Sequence, residues 1–95
     1  MPAYMIVNLE VHDAAAFDDY KARVPALIEK HGGECLSRGG KVEIFEGKWQ
    51  PNRLVVFRFP NLESIRAFND DPEYLPLKKL RQSSAYTELV SVEGI

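Results

Sequence analysis

Residues 53–59, RLVVFRF, constrain the fold more than any other part of the chain. Apolar side chains fall on both faces of this extended run and Pro60 ends it, so it reads as a central strand covered on both sides. Helices from the same chain can cover one face. A chain of 95 residues has little left to cover the other, and at this size only about 60–65% of the unfolded surface is buried on folding. A partner subunit would supply the missing layer.

The other segments organise around that strand. In residues 3–11, AYMIVNLEV, Met5, Val7, Leu9 and Val11 share one wholly apolar face, while Tyr4, Ile6, Asn8 and Glu10 share the other. Asp13 is a helix N-cap, and Phe17, Tyr20, Val24, Leu27 and His31 recur at helical spacing. Pro25 removes one backbone donor and crowds the carbonyl of Lys21, which predicts a kink or local widening; Gly32 and Gly33 end the helix. ECLSR and VEIFEG read as two short strands separated by GGK, and KWQPN as a loop. Asn61 caps a second helix running through Asp70, with Leu62, Ile65 and Phe68 facing inward. Asp71 as cap and Pro72 at the first helical position predict a restarted helix with Tyr74, Leu77, Leu80 and Arg81 along one side. Residues 86–93, YTELVSVE, close the chain as a strand.

This order predicts one α+β domain over residues 1–95, a ferredoxin-like split βαβ sandwich whose antiparallel sheet carries its helices on one face. Tyr4, Ile6 and one alternating set of residues 53–59 are left on the open face, so the expected assembly is a homodimer with the two sheets face to face.

The segments AYMIVNLEV, FDDYKARVP, SRGGKVEIFEG, RLVVFRFPN, DPEYLPLKKLR and LVSVEG together resemble the domain of unknown function 1330 family, within the dimeric α/β-barrel superfamily. The resemblance spans nearly the whole chain. It implies a ferredoxin-like protomer that forms a barrel with its partner, and it brings no activity. Better-known members of that superfamily include cofactor-free monooxygenases, lactone isomerases and haem-dependent enzymes, which place a small-molecule pocket between sheet and helices.

Charge and composition exclude several classes. With 12 basic and 14 acidic residues spread along the chain and a net charge of -2, no basic block exists to hold nucleic acid. No apolar run reaches the roughly 18–20 residues that span a bilayer, and the N-terminus reads as a strand, not a signal peptide. The lone Cys35 allows no internal disulfide and fits a reducing compartment, so a cytoplasmic location is expected. Two histidines, His12 and His31, have no ligand partner at metal spacing; no metal and no cofactor are expected. Cys35 beside Glu34 gains no activation as a nucleophile, and the Asp18–Asp19 and Asp70–Asp71 pairs read as helix-terminal or solvated groups.

The stretch SRGGKVEIFEGKW carries the sharper question. A phosphate-binding loop needs its glycines between a strand and a helix, and here no helix follows. Gly39 and Gly40 instead supply a tight turn. Alternation places Arg38 on the face of Leu36, opposite Cys35 and Ser37, and Arg53 on the face of Val55, Phe57 and Phe59. A guanidinium at the rim of an apolar cavity needs a partner: a ligand carboxylate, or Glu43, Glu46 or Glu73 of the chain itself. Trp49 either closes a pocket or caps the core edge. Tyr20 and Tyr74 lie on inward helical stripes with hydroxyls to satisfy, Arg81 serves helix-end carbonyls or an acidic neighbour, and Arg58 pairs with Glu10 on the dimer side.

These residues define the leading expectation: a dimer binding a small anionic or oxygenated organic molecule, with Arg38, Arg53, Trp49, Tyr20 and Tyr74 lining the pocket. The enzymatic alternative is cofactor-independent oxygenation or isomerisation of an enolisable substrate, for which no general base is evident. The third is an oligomerisation module whose pocket is filled by its own side chains.

Overall fold

The computed structural model describes residues 1–95. Its elements are β1 (Ala3–Val11), α1 (Ala14–Lys30), β2 (Glu34–Arg38), β3 (Arg53–Phe59), α2 (Leu62–Asp70), α3 (Leu75–Ser84) and β4 (Ala85–Glu93). The four strands form one antiparallel sheet in the order β2-β3-β1-β4. This is the α+β ferredoxin-like arrangement, with β3 and β1 in the centre.

The register fixes the two faces. Met5, Val7 and Leu9 of β1 stand opposite Phe57, Val55 and Arg53 of β3 and opposite Ser91, Leu89 and Thr87 of β4. This face carries the helices, and Ala3, Met5, Val7, Leu9, Val55 and Phe59 are buried in it. The other face presents Tyr4, Ile6, Leu54, Val56, Tyr86, Val90 and Val92 with no helix over them; Tyr86 is 64% exposed and Val90 62%.

The helices begin where their caps place them. The Asp13 carboxylate accepts from Ala16 N at 3.2 Å, and Asn61 Oδ1 accepts from Ser64 N at 2.8 Å. Helix α1 continues through Pro25 to Lys30. After it, Gly32 adopts φ +79°, and Gly33 passes so close to the core that an added Cβ would lie 2.6 Å from Phe59.

Three local expectations are corrected. VEIFEG is not a strand: β2 ends at Arg38, and residues 40–52 form an irregular loop. Both edges of β3 are taken by β2 and β1, and the segment pairs with neither of the free edges left on the outer sides of β2 and β4. Helix α3 starts at Leu75 instead of Pro72. Asp71 Oδ1 accepts from Glu73 N at 2.9 Å, a local turn that competes with helix, and Pro76 takes the early-helix proline position. Finally, Asp71 is helix-terminal, as the C-cap residue of α2, but it is not solvated. Its side chain is 6% exposed and its Oδ2 lies 2.8 Å from His31 Nε2 and 3.0 Å from Lys30 Nζ.

Candidate functional site

Helix α1 packs chiefly against α3 and stands off the centre of the sheet. The space beneath it is a cavity of about 390 Å³, with β1, β3 and the end of β2 as its floor. Phe17, Val24, Ile28, Val55, Phe57 and Phe68 make most of the wall apolar. Two groups of polar side chains interrupt it, and the exposed Lys21 and Glu29 stand at the rim.

At one end stand Arg38 and Arg53. A break in the β2–β3 register between Cys35 and Ser37 sets up this corner. Strict alternation would put Leu36 beside Arg38. The bulge instead turns Cys35 and Arg38 to the cavity side and leaves Leu36 53% exposed. Gly39 answers the question raised by its sequence context: it has φ +66°, and its N–H donates to Leu54 O at 2.8 Å. An added Cβ at Gly39 would lie 3.0 Å from Arg53 Nε, so the arginine stem runs directly over the turn. Neither arginine forms an ion pair; Glu43 is engaged with Lys41, and Glu73 with Lys30. Arg53 Nε is buried without any hydrogen-bond partner.

The second polar group lies between α1 and α3. The hydroxyls of Tyr20 and Tyr74 are 2.9 Å apart, and Arg81 Nε donates to the Tyr74 hydroxyl at 3.4 Å. Tyr74 is 1% and Arg81 6% exposed. Phe68 stacks on Tyr74 with ring centroids 4.3 Å apart, and Phe17 lies 5.4 Å from Tyr20. Burial, then the adjacent Tyr74, raises the Tyr20 hydroxyl far above the usual tyrosine range. Tyr20 therefore stays protonated and acts as a donor, not as a base. Either hydroxyl can donate in the Tyr20–Tyr74 bond; in the arrangement where Tyr74 accepts from Arg81 and donates to Tyr20, the Tyr20 proton is free for a ligand oxygen.

The fold thus brings Arg38, Arg53, Tyr20 and Tyr74 to one cavity. Trp49 lies outside it, 59% exposed on the loop between β2 and β3. Arg81 joins the site in place of capping a helix end, and its spacing from Tyr74 along α3 is the signal that places both on one stripe. Arg58 faces the open side of the sheet but lies 3.7 Å from Glu34, not paired with Glu10. Glu10 Oε2 accepts from Asn52 Nδ2 at 3.5 Å.

His31 is held by Asp71 and packs edge-on against Phe68. It therefore serves the junction between α1 and α2. No cluster of three or more His, Cys, Asp or Glu side chains is placed to hold a metal ion. No helix is long and apolar enough to cross a membrane.

Solved structures share this architecture at low identity. A protein of unknown function from Rhodopseudomonas palustris matches with TM-score 0.78 and 17% identity, over 99% of this chain and 82% of its own. A dimeric ferredoxin-like protein of unknown function from Jannaschia sp. matches with TM-score 0.72 and 19% identity, over 99% and 100%. SnoaB, a cofactor-independent oxygenase from Streptomyces nogalater, matches with TM-score 0.67 and 14% identity, over 99% and 93%. No curated protein matches the sequence. One family does, along residues 2–95, and the chain belongs to it: the family described as a domain of unknown function, DUF1330.

Proposed function

We propose that the cavity under α1 binds a small organic molecule carrying an anionic or oxygenated group, and that the protein works as a homodimer. The observation that carries the binding reading is Arg53 Nε, a charged-group donor buried at the cavity with no partner. Such a donor costs about 1–3 kcal/mol when unsatisfied, and an acceptor on a ligand would remove that cost. Arg38 beside it makes the corner doubly cationic, while the remaining wall suits an apolar or aromatic body. The self-filled oligomerisation module is disfavoured by the cavity's volume and by the two arginines lacking internal carboxylates.

Self-association is supported by area. A compact monomer of 10.8 kDa exposes about 5,500 Å², against 6313 Å² for this chain. The difference, roughly 800 Å², is what one partner buries in a standard interface. The apolar open face of the sheet is the natural place for it, and the Jannaschia relative is described as dimeric.

A second reading, cofactor-independent oxygenation, is favoured by the Arg81–Tyr74–Tyr20 chain and by the likeness to SnoaB. The Tyr20 hydroxyl is a donor suited to an enolate oxygen. Glu29 is the carboxylate at the cavity rim that a base role would fall to.

The test is a matched pair of fluorescent probes, anilinonaphthalene sulfonate and the uncharged N-phenylnaphthylamine. Wild-type protein is expected to bind the sulfonate more tightly, and the Arg38→Met/Arg53→Met variant to lose that preference by about tenfold or more. Equal preference in both proteins would overturn the assignment. Incubation of an enolisable phenolic substrate with oxygen, followed by mass spectrometry, separates binding from turnover.

A further inference from the structure

The helix-covered side of the sheet has a second concavity, of about 450 Å³, between α2, α3 and β4. Its lining differs from the first in kind. Arg66 and Asn69 come from α2, Lys78, Arg81 and Gln82 from α3, and Thr87 from β4; no Asp or Glu takes part. The spacing explains the gathering. Lys78, Arg81 and Gln82 are three and four residues apart on one helical stripe, and Arg66 and Asn69 are three apart on the other.

None of the three cations is ion-paired. Arg81 is only 6% exposed, and its recorded side-chain bond is the long one to Tyr74. Thr87 Oγ1 is buried with no partner. A buried guanidinium without a counter-charge, an orphaned hydroxyl and two more cations around one cleft are mutually unfavourable unless an anion lies among them.

We propose that this cleft is a second ligand site, selective for a tetrahedral oxyanion such as a phosphate or sulfate group. Arg81 anchors the group at the cleft's inner end, Thr87 donates its hydroxyl, and Arg66 and Lys78 close over it from the two helices. The cleft volume exceeds the needs of a single oxyanion, so a phosphate monoester fits as well as the free ion. Arg81 lines both cavities, and the two sites share one cation.

Isothermal titration with inorganic phosphate and with phenyl phosphate tests this, with ionic strength matched by chloride. Wild-type protein is expected to bind at least one of them saturably. Arg66→Met/Lys78→Met changes an exposed and a half-buried side chain, and is expected to weaken binding about tenfold or more. In the Arg38→Met/Arg53→Met background, where the corner under α1 no longer holds an anion, saturable binding of inorganic phosphate is expected to persist and to be lost when Arg66→Met/Lys78→Met is added, which separates this site from the one under α1. Tighter binding of the ester assigns an esterified group, and equal affinity the free ion. Absence of saturable binding by either probe, or full binding retained in folded Arg66→Met/Lys78→Met protein, would overturn the proposal.

Discussion

Arg53→Met should make the protein more stable and a worse binder at the same time. The arginine stem lies over Gly39, and a Met side chain retains most of that contact. What Met removes is the guanidinium, whose Nε is buried and unbonded. Leaving such a donor unsatisfied costs about 1–3 kcal/mol. The residue is only half-buried, so its terminal nitrogens reach water and the lower end applies, about 1 kcal/mol. For a domain of this size that corresponds to a rise in Tm of about 4–8 °C. The assay is thermal unfolding followed by circular dichroism at one fixed protomer concentration, because self-association shifts Tm by mass action. Affinity for anilinonaphthalene sulfonate, read by fluorescence, should fall in the same variant. A lowered Tm with unchanged affinity would refute the reasoning: it would make Arg53 a structural group whose partner lies within the assembly.

Other perturbations probe other parts of the account. Asp71 accepts from His31, from Glu73 N and from Lys30, and these bonds, His31 first, hold its carboxyl well below the usual value of 3.8. Its contribution to stability is thus complete above that value and is lost as pH falls below it toward the folded value; Asp71→Asn should lower stability at neutral pH and flatten the acid limb of a urea-unfolding profile. Gly33→Ala would set a methyl 2.6 Å from Phe59 and 2.7 Å from Ile28, and a loss of about 1–3 kcal/mol is expected in denaturant titrations. Because Arg81 faces both cavities, phosphate in the cleft should weaken sulfonate binding under α1 by about fivefold or more, beyond a chloride control; independent binding would show that the guanidinium is not shared.

The fold was legible wherever pattern and topology agreed. Alternation in residues 3–11 located one strand, the apolar residues on both faces of 53–59 located a central one, and the caps at Asp13 and Asn61 located two helix starts within a residue. VEIFEG misled because strand-like composition does not by itself pair a segment with an edge, and pairing is a tertiary fact; the segment joins neither β2 nor β4, whose outer edges are free. The same limit applies to Asp71, where the cap-like Asp-Pro pair belongs to a turn tied to His31, 40 residues away. At the site, Arg53 followed from simple alternation, while Arg38 reached the cavity only through a β-bulge that strict period-two counting does not include. Arg81 was visible as a neighbour of Tyr74 on one stripe; its burial, which changes its meaning, depended on α1 packing over α3. Trp49 looked like a pocket residue by type alone, and the length of the loop carries it away.

The central claim is that the unpaired Arg53 donor belongs to a ligand. A crystal structure of the protein with anilinonaphthalene sulfonate tests it most directly. The account predicts one probe per protomer under α1, with a sulfonate oxygen in hydrogen-bond distance of Arg53 Nε and the rings against Phe17, Val24 and Phe57. A carboxylate of the partner subunit seated on Arg53, with the probe excluded from the cavity, would contradict it.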